Sequence, residues 1–127
     1  MATPSDFTEL GSALHDMMRQ WALFGPSLDM ARKKCVPEGD QPMLVYLEGC
    51  RHQFNYLANN AQDLDREIKR ARSALKGIEK ELGKRHSLVK TSTTVIETAE
   101  ERSKAIRDFL DDNVSQVEQY WELLKRR

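Results

Sequence analysis

The stretch ELGKRHSLVKTSTTVIE, residues 81–97, decides the fold. If the chain turns within it, the amphipathic segments on either side fold back on each other; if helix runs through it, they form one long rod. The heptad phase allows the rod, because counting on from Leu82 brings Arg85, Val89 and Ser92 to the seam before Ile96. Local chemistry favours the turn. Gly83 stands where a helix C-cap glycine belongs, with Lys84 and Arg85 beside it and a β-branched, hydroxyl-rich run over residues 91–95. Thr94 followed three residues later by Glu97 has the spacing of a capping box. These signals predict one helix ending at about 83, a turn within residues 84–93, and another helix starting at about 94; the continuous coiled-coil rod is the alternative.

Before that stretch, apolar residues recur at Met43, Leu47, Cys50, Phe54, Leu57, Ala61, Leu64, Ile68, Ala71, Leu75, Ile78 and Leu82, alternating steps of three and four. After it, the stripe is Ile96, Ala99, Ile106, Leu110, Val117, Tyr120 and Leu124, with Ser103 and Asn113 at two seam positions. The packing seam is therefore expected at Leu47, Phe54, Leu57, Leu64, Ile68, Leu75, Ile78, Leu82, Ile106, Leu110, Val117 and Leu124. A first stripe, Phe7, Leu10, Leu14, Met17, Trp21, Phe24, Leu28, Ala31 and Cys35, keeps its phase across Gly25 and Pro26. It predicts a helix over about 5–36, kinked or restarted near 25–26 with Ser27 as a cap, followed by the loop VPEGDQP at 36–42. The other two helices are expected over about 42–83 and 94–126.

The fold class that follows is all-α: three long amphipathic helices in an antiparallel bundle, in a single domain spanning 1–127. Stripe width suggests where the first helix lies. Leu44, Val45, Tyr46 and Tyr56 widen the start of the second stripe, and Phe109, Val114, Trp121 and Leu123 widen the end of the third. A broad stripe serves two neighbours and a narrow one serves a single partner. Helix one is therefore expected on the broad ends, leaving the narrow part to project as a two-stranded coiled-coil hairpin.

Charge is unevenly placed. The chain has 20 basic and 20 acidic residues, so its formal net charge is zero. Residues 66–90 nonetheless hold nine Lys or Arg against Glu67, Glu79 and Glu81, a balance of +6 that the remainder must offset with −6. Arg66, Lys69, Arg70, Lys76, Lys80, Lys84, Arg85 and Lys90 form a candidate anion-binding strip, suited to phosphates or anionic lipid heads. A solvated coiled-coil surface is the plainer reading of the same residues. Glu67 and Arg72, on the two flanks of the seam, have the placement of an interhelical pair in a parallel dimer, which belongs to the rod.

Little points to catalysis. The sequence has no phosphate-binding loop, no dinucleotide fingerprint, no H-E-x-x-H and no nucleophile elbow. His15, His52 and His86 fall on separate segments off the seams. The two cysteines, Cys35 and Cys50, lie on apolar stripes as small core residues, too few and too far apart for a zinc site or a disulfide framework. No leader and no spanning run is visible, so a cytoplasmic, soluble or peripheral protein is expected.

The pattern resembles no single family. It implies a non-enzymatic protein-interaction or scaffolding module without cofactor or metal, self-associating as a homodimer or joined in a hetero-oligomer. Met18, Leu23, Met30 and Trp121 form a candidate partner patch. The alternative is binding of an anionic surface through the basic strip, a membrane ahead of nucleic acid.

Overall fold

The computed structural model describes residues 3–34 and 43–125, and these form three helices: α1 (Pro4–Lys34), α2 (Met43–Leu82) and α3 (Ser87–Lys125). The expected loop at 36–42, Cys35 and the last residue of the third expected helix lie outside the described residues.

Helix α1 begins at a capping box that the sequence carries as T-P-S-D. The Thr3 amide donates to Asp6 Oδ2 at 2.9 Å and the Asp6 amide donates to Thr3 Oγ1 at 3.3 Å, with Pro4 in the first helical position. The helix then runs unbroken through Pro26, so no restart and no Ser27 cap occur. Gly25 has a packing reason: a Cβ there would approach the Trp21 indole to 2.8 Å. The Ser27 carbonyl instead accepts a bond from Gln53 Nε2 at 3.3 Å.

The decisive stretch turns. Helix α2 ends in a left-handed Gly83 (φ +85°), whose amide donates to the Glu79 carbonyl at 2.8 Å, the αL form of C-cap. Only three residues, Lys84, Arg85 and His86, separate Gly83 from α3. His86 is the N-cap: Nδ1 accepts the Leu88 amide at 3.1 Å and its carbonyl accepts the Lys90 amide at 3.0 Å. The expected start at Thr94 is therefore corrected to Ser87. Thr93, Thr94 and Thr98 turn their hydroxyls onto the carbonyls of Val89, Lys90 and Thr94, four residues back, so they are accommodated inside the helix. Val89 and Ser92 take the seam positions that the uninterrupted phase assigned them, both buried, while Arg85 lies exposed in the turn.

The helices are antiparallel in succession. Asp6 lies beside Gly77, Glu9 and Asp16 beside Arg70, and Ser27 beside Gln53, which fixes α1 along α2. Arg72 meets Glu100, Asp65 meets Ser103 and Arg51 meets Glu118, which fixes α2 along α3. Helix α2 is thus the central member, and α1 and α3 touch each other sparingly. All twelve expected seam residues sit in the core or packed against it, with Leu82, Leu110 and Leu124 partly buried.

The position of α1 departs from the stripe-width expectation. Its residues Leu10, Ala13, Met17, Phe24, Leu28 and Ala31 share one buried cluster with Leu64, Ile68, Leu75 and Ile78 of the narrow-stripe part of α2 as well as with Leu57 of the broad part. The broad-stripe ends form a separate cluster of Leu47, Cys50, Phe54 and Val117, drawn from α2 and α3 alone. Small residues explain this. Ala61, Ala71 and Ala74 are buried in the shared cluster and Gly77 abuts Asp6, so α1 comes close without a wide apolar face. The hairpin extends past α1 by little more than the end of α2 and the connecting turn, because Asp6 in the first turn of α1 is already level with Gly77.

Candidate functional site

The basic strip divides once α1 and α3 are in place. Arg66, Lys69, Lys76 and Lys80, with Ser73 among them, recur every three or four residues on the outer face of α2, and all five are exposed. Lys84 and Arg85 continue the positive charge into the turn, and Lys90 adds to it from the first turn of α3, also exposed. Two of these cations have weak local partners: Arg66 lies 3.4 Å from Asp63 and Lys84 lies 3.9 Å from Glu79.

Arg70 leaves the strip. Its guanidinium turns to α1, where Nε donates to Glu9 at 2.6 Å and the two terminal nitrogens reach Asp16 at 3.5 Å and the Ser12 hydroxyl at 3.4 Å. The same group holds Glu67, one turn back on α2 and only 9% exposed. The hydrogen bond from Arg70 keeps Glu9 below the usual carboxylate range, and the bond to Glu9 in turn raises Arg70 further above its ordinary value. Arg70 is therefore an internal clamp between helices, and its inclusion among anion-binding residues is corrected. Arg72 is likewise engaged with Glu100 on α3, which raises its own proton affinity. The expected pairing of Glu67 with Arg72 across a parallel dimer gives way to these two contacts.

Helix α3 carries the compensating charge on its own outer face. Glu97, Glu101, Asp108, Asp111 and Asp112 are all exposed, with Lys104 among them 3.9 Å from Asp108. Sequence reading found the deficit of −6 but did not place it; the three- and four-residue spacing of these acids was the available signal.

Ser103 and Asn113, the polar residues of the third stripe, bond internally. The Ser103 hydroxyl donates to Asp65 Oδ1 at 2.6 Å, and Arg107 engages the other oxygen of the same carboxylate. Asn113 Nδ2 donates back to the Phe109 carbonyl at 2.7 Å. The contacts of Ser103 and Arg107 with Asp65 tie α3 to α2, the Asn113 bond is internal to α3, and neither position opens a polar cleft. His15 and His52 are exposed and His86 caps α3. Cys50 is buried. Among the described residues no three His, Cys, Asp or Glu side chains are grouped to hold a metal ion, and no helix is long and apolar enough to cross a membrane.

The candidate partner patch does not form one surface. Leu23 and Met30, seven residues apart, share one face of α1 and are 68% and 49% exposed, whereas Met18 lies on a different face. Trp121 is on α3, half-buried with the Arg51 guanidinium 4.4 Å from its ring. A more compact apolar site lies at the far end of the hairpin, where Met43, Tyr120, Leu123 and Leu124 line a half-open pocket of about 280 Å³. Comparison with protein families, with curated proteins and with solved structures finds no match.

Proposed function

We propose that this chain is a non-enzymatic, cytoplasmic helical interaction module that holds other protein chains through the outer faces of α2 and α3. One observation carries the reading: a chain of zero net charge bears a ridge of exposed cations on one face of α2 and a ridge of exposed acids on one face of α3. Oppositely charged ridges on a closed bundle provide orientation and partner choice more than raw affinity. The apolar seam and the internally satisfied polar positions support a structural task for the interior.

A second reading, binding to an anionic surface, is favoured by the continuation of the basic ridge through Lys84 and Arg85 to Lys90 at the tip. The ridge has no Phe, Tyr or Trp among its cations on which bases would stack, which favours lipid phosphates over nucleic acid. The triple variant Lys69→Glu, Lys76→Glu, Lys80→Glu separates the two. Under the first reading, cross-linking in cells followed by mass spectrometry recovers protein chains joined to the wild type, and the variant loses them, while neither protein sediments with phosphatidylserine vesicles. A variant with unchanged cross-linked chains overturns the first reading. Wild-type sedimentation with phosphatidylserine but not phosphatidylcholine vesicles, lost in the variant, establishes the second.

A further inference from the structure

The two charged ridges match each other in register as well as in sign. Reading α2 backwards, the cations stand at Lys80, Lys76, Lys69 and Arg66, steps of four, seven and three. Reading α3 forwards, acids stand at Glu97, Glu101, Asp108 and Asp111, again steps of four, seven and three. In two helices packed antiparallel, each step up one is a step down the other, so a single alignment sets Lys80 against Glu97, Lys76 against Glu101, Lys69 against Asp108 and Arg66 against Asp111. The same alignment places Lys104, the cation of the acidic ridge, against Ser73, the uncharged member of the basic ridge. All ten residues are exposed, and the matched ridges are about 21 Å long. Beyond Arg66 and Asp111 the next outward positions, Gln62 and Ser115, are uncharged on both helices.

The ridges of one molecule do not meet each other. Helices α2 and α3 of the same chain face through their inner flanks, where Arg51 bonds Glu118 and Arg72 bonds Glu100. We infer that the outer face of α2 in one copy docks antiparallel on the outer face of α3 in a second copy, which makes the partner of the interaction module another molecule of this chain. The inference rests on the interaction-module reading and narrows it.

Geometry also sets the form of the assembly. The two ridges lie on different helices and face away from the core on different sides, so a copy engaged through α2 still presents α3. The contact is heterologous and passes from copy to copy in place of closing on a two-fold axis. Within the chain Arg72 is level with Glu100 and Asp65 with Ser103; in the docked alignment the residues facing Arg72 and Asp65 are Ala105 and Asp112. Successive copies are therefore staggered along the helix axis by about two turns, on the order of 10 Å. The matched positions supply ion pairs and no apolar anchor, so the association is weak and strongly screened by salt.

Sedimentation of the purified protein tests this. At about 10 mM salt, where the Debye length is about 30 Å, average mass should rise with concentration above 14.7 kDa; at about 1 M salt, where it is about 3 Å, the protein should be monomeric. The double variants Lys76→Glu, Lys80→Glu and Glu97→Lys, Glu101→Lys should each stay monomeric at low salt, and an equimolar mixture should associate again, because each offers the ridge that the other lacks. Ser73→Glu adds a negative charge to the basic ridge, which weakens any unregistered attraction but supplies a partner for Lys104. It should tighten association by about twofold to threefold, the contribution of one exposed ion pair. A wild-type monomer at low salt, a mixture that stays monomeric, or weakening by Ser73→Glu each overturns the inference. The interaction-module reading then stands or falls separately on the cellular cross-links.

Discussion

The two ends of the bundle are built differently although the same two helices run through both. Around Leu64 and Ile78 the core is shared by three helices and closes over residues that are 0% exposed. Around Leu47 and Val117 a separate, smaller cluster is drawn from α2 and α3, and large apolar side chains remain outside it: Met43, Val45, Tyr120 and Leu123 are about half exposed. Apolar stripe width is greater at the second end, yet α1 is not confined to it: the helix runs from beside Gln53, near that end, to beside Gly77 at the other. Stripe width thus does not by itself set the number of neighbours, and the alanines and ion pairs of the narrow region let α1 pack there without a broad apolar face.

The largest effect that separates the two ends is a matched pair of core truncations. Leu64→Ala should cost about 4 kcal/mol and Leu47→Ala about 2 kcal/mol in denaturant unfolding, both sites being fully buried, because the smaller cluster around Leu47 is bordered by half-exposed side chains that relax more readily around a cavity. Equal costs would show that the ends are packed alike. A change confined to acid pH comes next. Glu9 has its folded-state proton affinity lowered by Arg70, so the unfolded chain takes up the proton first as pH falls. The stabilisation is full above the ordinary carboxylate range and is lost as pH falls through the lowered folded-state value. Arg70→Met should therefore melt below the wild type at neutral pH and converge with it in acid; a constant gap would mean that Arg70 acts by packing alone.

The hairpin turn supplies the smaller effects. Gly83→Ala should cost about 1 kcal/mol, since a side chain is placed in the left-handed region where nothing else crowds it. His86→Asp should gain about 0.5 kcal/mol by replacing an imidazole with a stronger N-cap acceptor at a helix N-terminus. If both changes leave thermal unfolding unaltered, the turn contributes nothing beyond connection.

Much of this fold is legible in the sequence. The seam of α2, the cap at Gly83 and the antiparallel return follow from periodicity and from one glycine with basic neighbours. The start of α3 was less legible, because a threonine run reads as a break unless its hydroxyls have carbonyls four residues back to bind, as those of Thr93 and Thr94 do. The capping box of α1 was written in Thr3 and Asp6 but stands one position before the apolar stripe becomes regular. The role of Arg70 could not be read from α2 alone, since periodicity within one helix does not say which side chains of another will stand beside it. The acidic ridge was legible once the outer face of α3 was known, and the deficit of charge already implied it.

The central claim is that α2 and α3 are a closed hairpin that turns opposite charges outward from one core. It is tested most directly by pulsed electron paramagnetic resonance between spin labels at Glu48 and Glu122, both exposed and flanking the contact of Arg51 with Glu118, in a cysteine-free background diluted with unlabelled protein. Helices packed side by side place the labels about 10–25 Å apart, allowing for the label arms. A separation approaching about 110 Å, the rise of a continuous helix between those positions, would contradict the hairpin and the faces built on it.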